Sequence, residues 1–333
     1  MNAAPFWPTR KWLRAEPSPH QRKKLDVTSE RLFDLPEQAG QTLALFVSQH
    51  GRCVYERYAP GLSADSTLPS WSMAKSILHA LIGILVGRGE ISTAEKAMAP
   101  EWQVSGDPRA EITIHDLLTM RSGLEFIEDY ENEGVSDVIQ MLWGSGSQNV
   151  AAYAADKPLI HKPGTVWSYS SGTTNILSRI VSSRVGTGNA MRKFMFHALF
   201  EPLGMQSPEP KFDAAGTFKA SSFCFCNIED FARFGYLYLQ DGIWQDQRIL
   251  PTGWAEYART PVHMDEESGY GAHWWITPDR SAFYASGYEG QHILVVPSKG
   301  LVIVKLGKSS TDHIPDIFRT VRTIADQFET DSQ

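Results

Sequence analysis

Hydrophobic and polar positions along the chain change period three times. From residue 72 to 87, Ile77, Leu78, Leu81, Ile82, Ile84 and Leu85 recur at helical spacing. Gly83 and Gly87 are small enough for close packing, so this stretch predicts a central helix buried on most of its surface. Ahead of it, residues 42–47 and 53–58 flank His50-Gly51 and read as a β-hairpin. Far downstream, strand patterns return at 270–276, 282–286, 292–296 and 301–306, the last two joined by the turn sequence Pro297-Ser298-Lys299-Gly300. Between the two strand regions, residues 114–118, 135–143, 175–185 and 228–239 carry helical patterns. The chain closes on a 3.6-residue repeat of Ile314, Ile317, Phe318, Val321, Ile324, Ala325 and Phe328.

Strands at both ends with helices between them predict an α+β fold. One antiparallel sheet is built from both ends of the chain with flanking helices, and a mainly helical subdomain is inserted into it. A cleft is expected at the seam. Residues 27–330 form a single domain on this reading, the sheet part at about 27–70 and 265–330 and the helical part at about 71–264. Residues 1–26, with Pro5, Pro8, Pro17 and Pro19, read as an extended arm that lies on the domain through Trp7 and Trp12 or stays loose. Residues 27–39 have weak helical character.

Composition narrows the class. With 333 residues and 42% hydrophobic content, a large core is within reach. The 31 basic residues against 38 acidic give a net charge of −7, and no basic cluster stands out, which argues against a nucleic-acid partner. No apolar run reaches the length of a signal peptide or a membrane span, so the sequence as written points to a cytoplasmic protein without a membrane partner. Cys53, Cys224 and Cys226 have no zinc-like spacing and read as buried thiols, and the histidines at 115, 263, 273 and 292 have no ligand spacing either. No metal or cofactor is expected.

Candidate chemistry begins at Ser72. Pro69 places it in the first turn of the central helix, where free backbone N–H groups and the positive end of the dipole favour negative charge. Lys75 lies one turn on, on the same face, and is the one lysine with a serine three residues before it. A lone cation buried there is costly, so the amine either pairs or loses its proton easily. Serine needs an activating base, and none of the ten histidines lies in a recognisable triad context. Tyr169, set by the Pro163-Gly164 turn ahead of a new helix pattern, is the second proton-transfer candidate. At about 4 Å and an effective dielectric near 20, a lysine cation attracts a phenolate by roughly 4 kcal/mol, enough to lower the phenol pKa by about three. The sequence therefore predicts a phenol that works as a base near neutrality.

These residues, with 114–123, 232–235, 270–275 and 285–291, resemble the serine β-lactamase-like superfamily, specifically its class C branch of β-lactamases, esterases, amidases and D-alanyl peptidases. In character the chain is similar to the nylon-oligomer hydrolases of the 6-aminohexanoate-dimer type. The resemblance implies that Ser72 forms an acyl-enzyme, that Lys75 and Tyr169 move protons, and that the backbone N–H groups of Ser72 and Tyr288 form an oxyanion hole. It also implies that Ser286 and Gly287, on the strand edge, and Ser171 bind substrate, and that Tyr130, on a loop over the cleft, holds a substrate amide or is simply exposed. Tyr130-Glu131-Asn132 is rejected as the catalytic pair because the acidic residues around it would raise a tyrosine pKa. Trp143, Trp274 and Trp275 line an acyl pocket or belong to the core.

Two departures weigh against β-lactams. Ala285 stands where the lactamases carry a carboxylate-binding cation, and Ser171 where they carry an asparagine. The expectation is a hydrolase of small esters or amides. Alternatives are a D-alanyl peptidase or β-lactamase, or a binding or sensor module that is acylated without turnover.

Overall fold

The computed structural model describes residues 6–331. Its frame is a nine-stranded sheet in the order β1 (Leu13–Arg14), β3 (Arg52–Tyr58), β2 (Gln41–Gln49), β9 (Leu301–Lys308), β8 (Gln291–Val296), β7 (Phe283–Gly287), β6 (Trp275–Ile276), β5 (Gly269–Tyr270) and β4 (His263–Met264). Every pairing is antiparallel except that of β1 with β3. Both ends of the chain contribute strands, and the segment between them is mainly helical, as the α+β reading predicts.

Alternate residues of the central strands enter two separate cores. Phe46, Ile293, Val295, Val302 and Val304 pack with α2 (Met73–Gly87) and α6 (Ile228–Leu239) on the inner face. Leu45, Val47, Leu294 and Ile303 pack with α1 (Pro19–Phe33) and α7 (Ile314–Asp326) on the outer face. Burial on both faces is why residues 301–304 read as an unbroken apolar run rather than an alternation. On α7, Ile317, Val321 and Ile324 are fully buried, and at about 1.5–3 kcal/mol each they supply the stripe that docks the helix. Helix α6 lies close against the sheet because Gly235 has no side chain; a Cβ there would stand 2.7 Å from Ile293 and Val302.

Two local expectations change. Residues 270–276 are not one strand but the paired short strands β5 and β6 with a turn between them. Gly271 passes within 2.1 Å, Cβ position to oxygen, of the Ala258 carbonyl. His273 turns to a positive φ of 56°, and its buried ring pairs with the Leu118 carbonyl at the end of α3 (Ile114–Leu118; 2.8 Å) and the Thr174 hydroxyl (3.0 Å). At the other end, α1 begins inside the stretch read as an arm. Pro19 occupies its first turn, and the Ser18 hydroxyl caps it by accepting from the Gln21 N–H. Before it, Trp12 is buried against Phe46 with ring centroids 5.0 Å apart, and Trp7 packs on Tyr236 and Trp244, so this part lies on the domain. The arm's first five residues are outside the described ones.

Candidate active site

Helix α2 starts where the sequence predicts, with Ser72 at its N-cap. The preceding Trp71 has a φ of 42°, an uncommon conformation for a bulky residue, and it turns the chain so that the Ser72 hydroxyl faces the cleft next to β7. Lys75, 2% exposed, spends all three ammonium protons on acceptors: Ser72 Oγ at 2.9 Å, Ser171 Oγ at 3.0 Å and the Ser221 carbonyl at 2.9 Å. Burial lowers its pKa to about 8, against an opposing pull from Glu128. At pH 7.5 an amine of that pKa is neutral in about a quarter of molecules, whereas an ordinary lysine is neutral in roughly one in a thousand.

Tyr169 leaves the Pro163-Gly164 turn just before α5 (Ser171–Val185), whose N-cap is Ser170. The Lys75 ammonium stands 4.8 Å from the centre of its ring, and its side chain lines the same recess as Ser72. The expected lowering of this phenol is reversed. Burial and the charge of Glu128 push its pKa up, and the neighbouring Ser72 hydroxyl only partly offsets them. The structure therefore holds a neutral phenol beside the serine, and the readily deprotonated group is the amine.

Glu128 is the residue the sequence reading passed over as one of several acids on a loop. Its carboxylate accepts from the Ser171 N–H (2.7 Å), the Ser171 hydroxyl (2.5 Å) and the Tyr130 hydroxyl (2.7 Å). Tyr130 itself stands over the cleft, 40% exposed, with its ring 5.2 Å from that of Tyr288. Its phenol is raised by burial and by Glu128, the direction for which the Tyr130-Glu131-Asn132 pair is set aside. Ser171 is 1% exposed, and its hydroxyl is committed to Lys75 and Glu128 rather than open to a ligand.

Strand β7 closes the other side. Strand β6 pairs only with Phe283 and Tyr284, so the edge of Ala285, Ser286 and Gly287 toward the cleft carries no strand. Gly287 is required by space: a Cβ there would stand 2.5 Å from the Ser70 carbonyl and 3.1 Å from Trp71, so only glycine lets the edge reach Ser72. Among the described residues, neither the Ser72 nor the Tyr288 backbone N–H donates to a backbone carbonyl. Beyond Tyr288, Glu289 turns at a φ of 62° and accepts from the Trp71 indole N–H at 2.8 Å, tying the segment after Tyr288 to the residue before Ser72.

A buried amine on a helix-start serine, a phenol beside it and an open strand edge form one arrangement, and comparison with known proteins gives the family of the chain that carries it. Residues 28–320 match the family described as Beta-lactamase. The chain belongs to that family. A 6-aminohexanoate-dimer hydrolase of Paenarthrobacter ureafaciens is 24% identical over 311 residues, which is 85% of this chain and 77% of that protein. A Bacillus anthracis protein assigned as a 6-aminohexanoate-dimer hydrolase superposes with a TM-score of 0.76 at 21% identity, covering 97% of this chain and 89% of its own. A D-stereospecific amidohydrolase from a Streptomyces species superposes at 0.68 and 15% identity, covering 87% and 96%. The fold is thus that of the β-lactamase-like serine hydrolases.

In this Beta-lactamase family member, two recesses meet at Ser72. One, about 50 Å³, is lined by Trp71, Val138, Ile139, Leu142, Trp143 and Ser222, most of them from or next to α4 (Asp137–Leu142). The other runs past Tyr169, Trp275, Ser286 and Glu289 to Thr311 and Ile314 at the start of α7. Neither wall includes a lysine or arginine side chain, and the second includes the carboxylates of Glu128 and Glu289. The three tryptophans divide: Trp274 is core, while Trp143 and Trp275 line the recesses. Cys53, Cys224 and Cys226 are buried free thiols. Among the described residues no helix is long and apolar enough to cross a membrane.

Proposed function

We propose that this protein hydrolyses small ester or linear amide bonds through an acyl-enzyme on Ser72. The observation that carries the reading is the buried Lys75 amine 2.9 Å from Ser72 Oγ with a pKa near 8. A general base is most effective when its pKa lies near the working pH. Neutral Lys75 takes the Ser72 proton as Oγ attacks the carbonyl carbon, and the Ser72 and Tyr288 N–H groups receive the negative charge on the oxygen. The neutral Tyr169 phenol gives its proton to the leaving oxygen or nitrogen and regains one from the Lys75 ammonium. Water then attacks the acyl ester by the same route in reverse. The free edge of Ser286 and Gly287 aligns the substrate backbone, and Tyr130 covers it.

Shape and charge narrow the substrate. The recess walled by Trp71, Val138, Ile139, Leu142 and Trp143 is small and mostly apolar, so it suits a short acyl chain. A free carboxylate finds no cation in either wall and two like charges in one of them, which disfavours penicillins and peptide C-termini. The similarity to hydrolases named for a linear amide supports amide cleavage beside ester cleavage.

The test is an assay against p-nitrophenyl acetate and longer acyl homologues, a linear amide and a chromogenic cephalosporin, with Ser72→Ala as the blank. The expected result is turnover of short esters and the linear amide, little of the cephalosporin, and background rates in the variant. Undiminished hydrolysis by Ser72→Ala would refute the acyl-enzyme. Rapid cephalosporin turnover would restore the β-lactamase alternative, and a stoichiometric burst without steady-state turnover would restore the sensor.

A further inference from the structure

A continuous line of hydrogen bonds leaves Ser72 on the side away from the strand edge. Lys75 Nζ donates to Ser72 Oγ and to Ser171 Oγ, Ser171 Oγ donates to Glu128, and Tyr130 donates to the same Glu128 oxygen. The second Glu128 oxygen is fixed by the Ser171 N–H at 2.7 Å, at the positive end of α5, so the carboxylate has little freedom to turn away. Among the described residues Ser171 is the one hydrogen-bonded link between acid and amine, 43 residues from Glu128 and 96 from Lys75. We propose that Glu128 is a positioning residue for the Lys75 base: through Ser171 it aims the amine at Ser72 and sets the pH at which that amine is free to accept a proton. This deepens the acyl-enzyme reading and rests on it.

The groups facing Lys75 support this assignment. Ser72 and the Tyr169 phenol lie on the cleft side, and the phenol stays neutral. His273, from the turn between β5 and β6, is buried with a pKa lowered to about 3, so it adds no charge near neutrality, and His79, one turn along α2, is likewise held neutral by burial. Glu128 is thus the charged neighbour of the amine. Burial pulls the proton off Lys75, and Glu128 holds it on. The balance leaves a base strong enough to take a serine proton yet free in a useful fraction of molecules.

The test is the pH dependence of kcat/KM for p-nitrophenyl acetate in wild type, Glu128→Gln, Glu128→Asp and Ser171→Ala, with each variant's melting curve recorded. In wild type the rate rises with pH through a limb near 8. In Glu128→Gln, which keeps an acceptor of the same shape but loses the charge, the limb moves down by about one pH unit. Relative to its own plateau, the rate at pH 6 then rises about tenfold, while the plateau falls because the base is weaker. Glu128→Asp, which keeps the charge, leaves the limb within a few tenths of wild type. Ser171→Ala lowers the plateau with a smaller displacement. A Glu128→Gln limb that coincides with wild type, whatever the plateau does, overturns the proposal while leaving the acyl-enzyme intact. If Ser72→Ala were as active as wild type, the underlying reading would fail instead. Should Glu128→Gln not fold, a Glu128→Asp limb displaced as far as that of Ser171→Ala would equally overturn the assignment.

Discussion

Among the described residues two lysines are buried, Lys75 and Lys305, and their surroundings are opposite. Lys75 is 2% exposed and Lys305, on β9, is 0% exposed; burial lowers the first to a pKa of about 8 and the second to about 7. By burial and proton affinity alone Lys305 is the stronger candidate for a neutral base. Yet its Nζ has no hydrogen-bond partner among the described residues, and neither ring nitrogen of its cross-strand neighbour His292 has one. Room for the amine comes from Gly290 and Gly307, whose Cβ positions would stand 3.0 and 2.4 Å from it. Lys75 instead has three acceptors, one of them the Ser72 hydroxyl that it would activate on the proposed route. A shifted pKa marks a strained site, and only the geometry around it tells a catalytic strain from a structural one.

Removing each amine separates the two. Lys75→Met is expected to lower kcat for a short ester by about 10²- to 10⁴-fold, and Lys305→Met to leave it within about twofold of wild type, both read by steady-state assay. Equal losses would erase the distinction. Tyr169→Phe removes the phenol proton but leaves Lys75 in place, and a loss of about 10²-fold is expected, larger for a poor leaving group such as an anilide than for p-nitrophenol. A loss identical for both leaving groups would contradict the phenol's assignment as the donor to the departing atom. Gly287→Ala should cost about 10- to 100-fold, because a Cβ 2.5 Å from the Ser70 carbonyl pushes β7 away from Ser72. Rates within about threefold of wild type would show that the edge need not approach so closely.

The smallest effect belongs to Lys305 and is one of stability. An amine that binds its proton less tightly when folded than when unfolded makes the folded chain more stable as pH rises between the two values. For Lys305 the window runs from about 7 to the ordinary lysine value near 10.4. Lys305→Met should therefore raise stability by roughly 1–3 kcal/mol at pH 6, with the gain shrinking toward pH 10. Lys75 contributes in the same direction above pH 8, equally in both proteins, so it cancels. Denaturant midpoints at the two pH values measure the difference, and a gain that grows with pH would show that the buried amine is stabilised by a partner.

The comparison also marks what could be read from the chain before its structure. Ser72 and Lys75 are one helical turn apart, so their contact is written into local spacing, and the Pro163-Gly164 turn announced Tyr169 in the same way. Lys305 lies inside an apolar strand run, where alternation cannot tell an outward lysine from an inward one once both faces are covered. Glu128 was illegible for another reason. It reaches Ser171 across 43 residues from a loop of many acids, and no period singles it out. Burial, which local spacing does not reveal, and then that one charge reverse the expected direction of the Tyr169 phenol. The Ser18-Pro19 signal for α1 was local and readable, but the three prolines before it, Pro5, Pro8 and Pro17, masked it.

The most direct test is the rate at which a fluorophosphonate labels the protein, followed by intact mass and located by peptide mapping, in wild type, Lys75→Met and Lys305→Met. The account predicts a single adduct on Ser72, formed at the same rate in wild type and Lys305→Met and about 10²-fold or more slowly in Lys75→Met. Labelling that proceeds undiminished in Lys75→Met, or that falls on a residue other than Ser72, would contradict it.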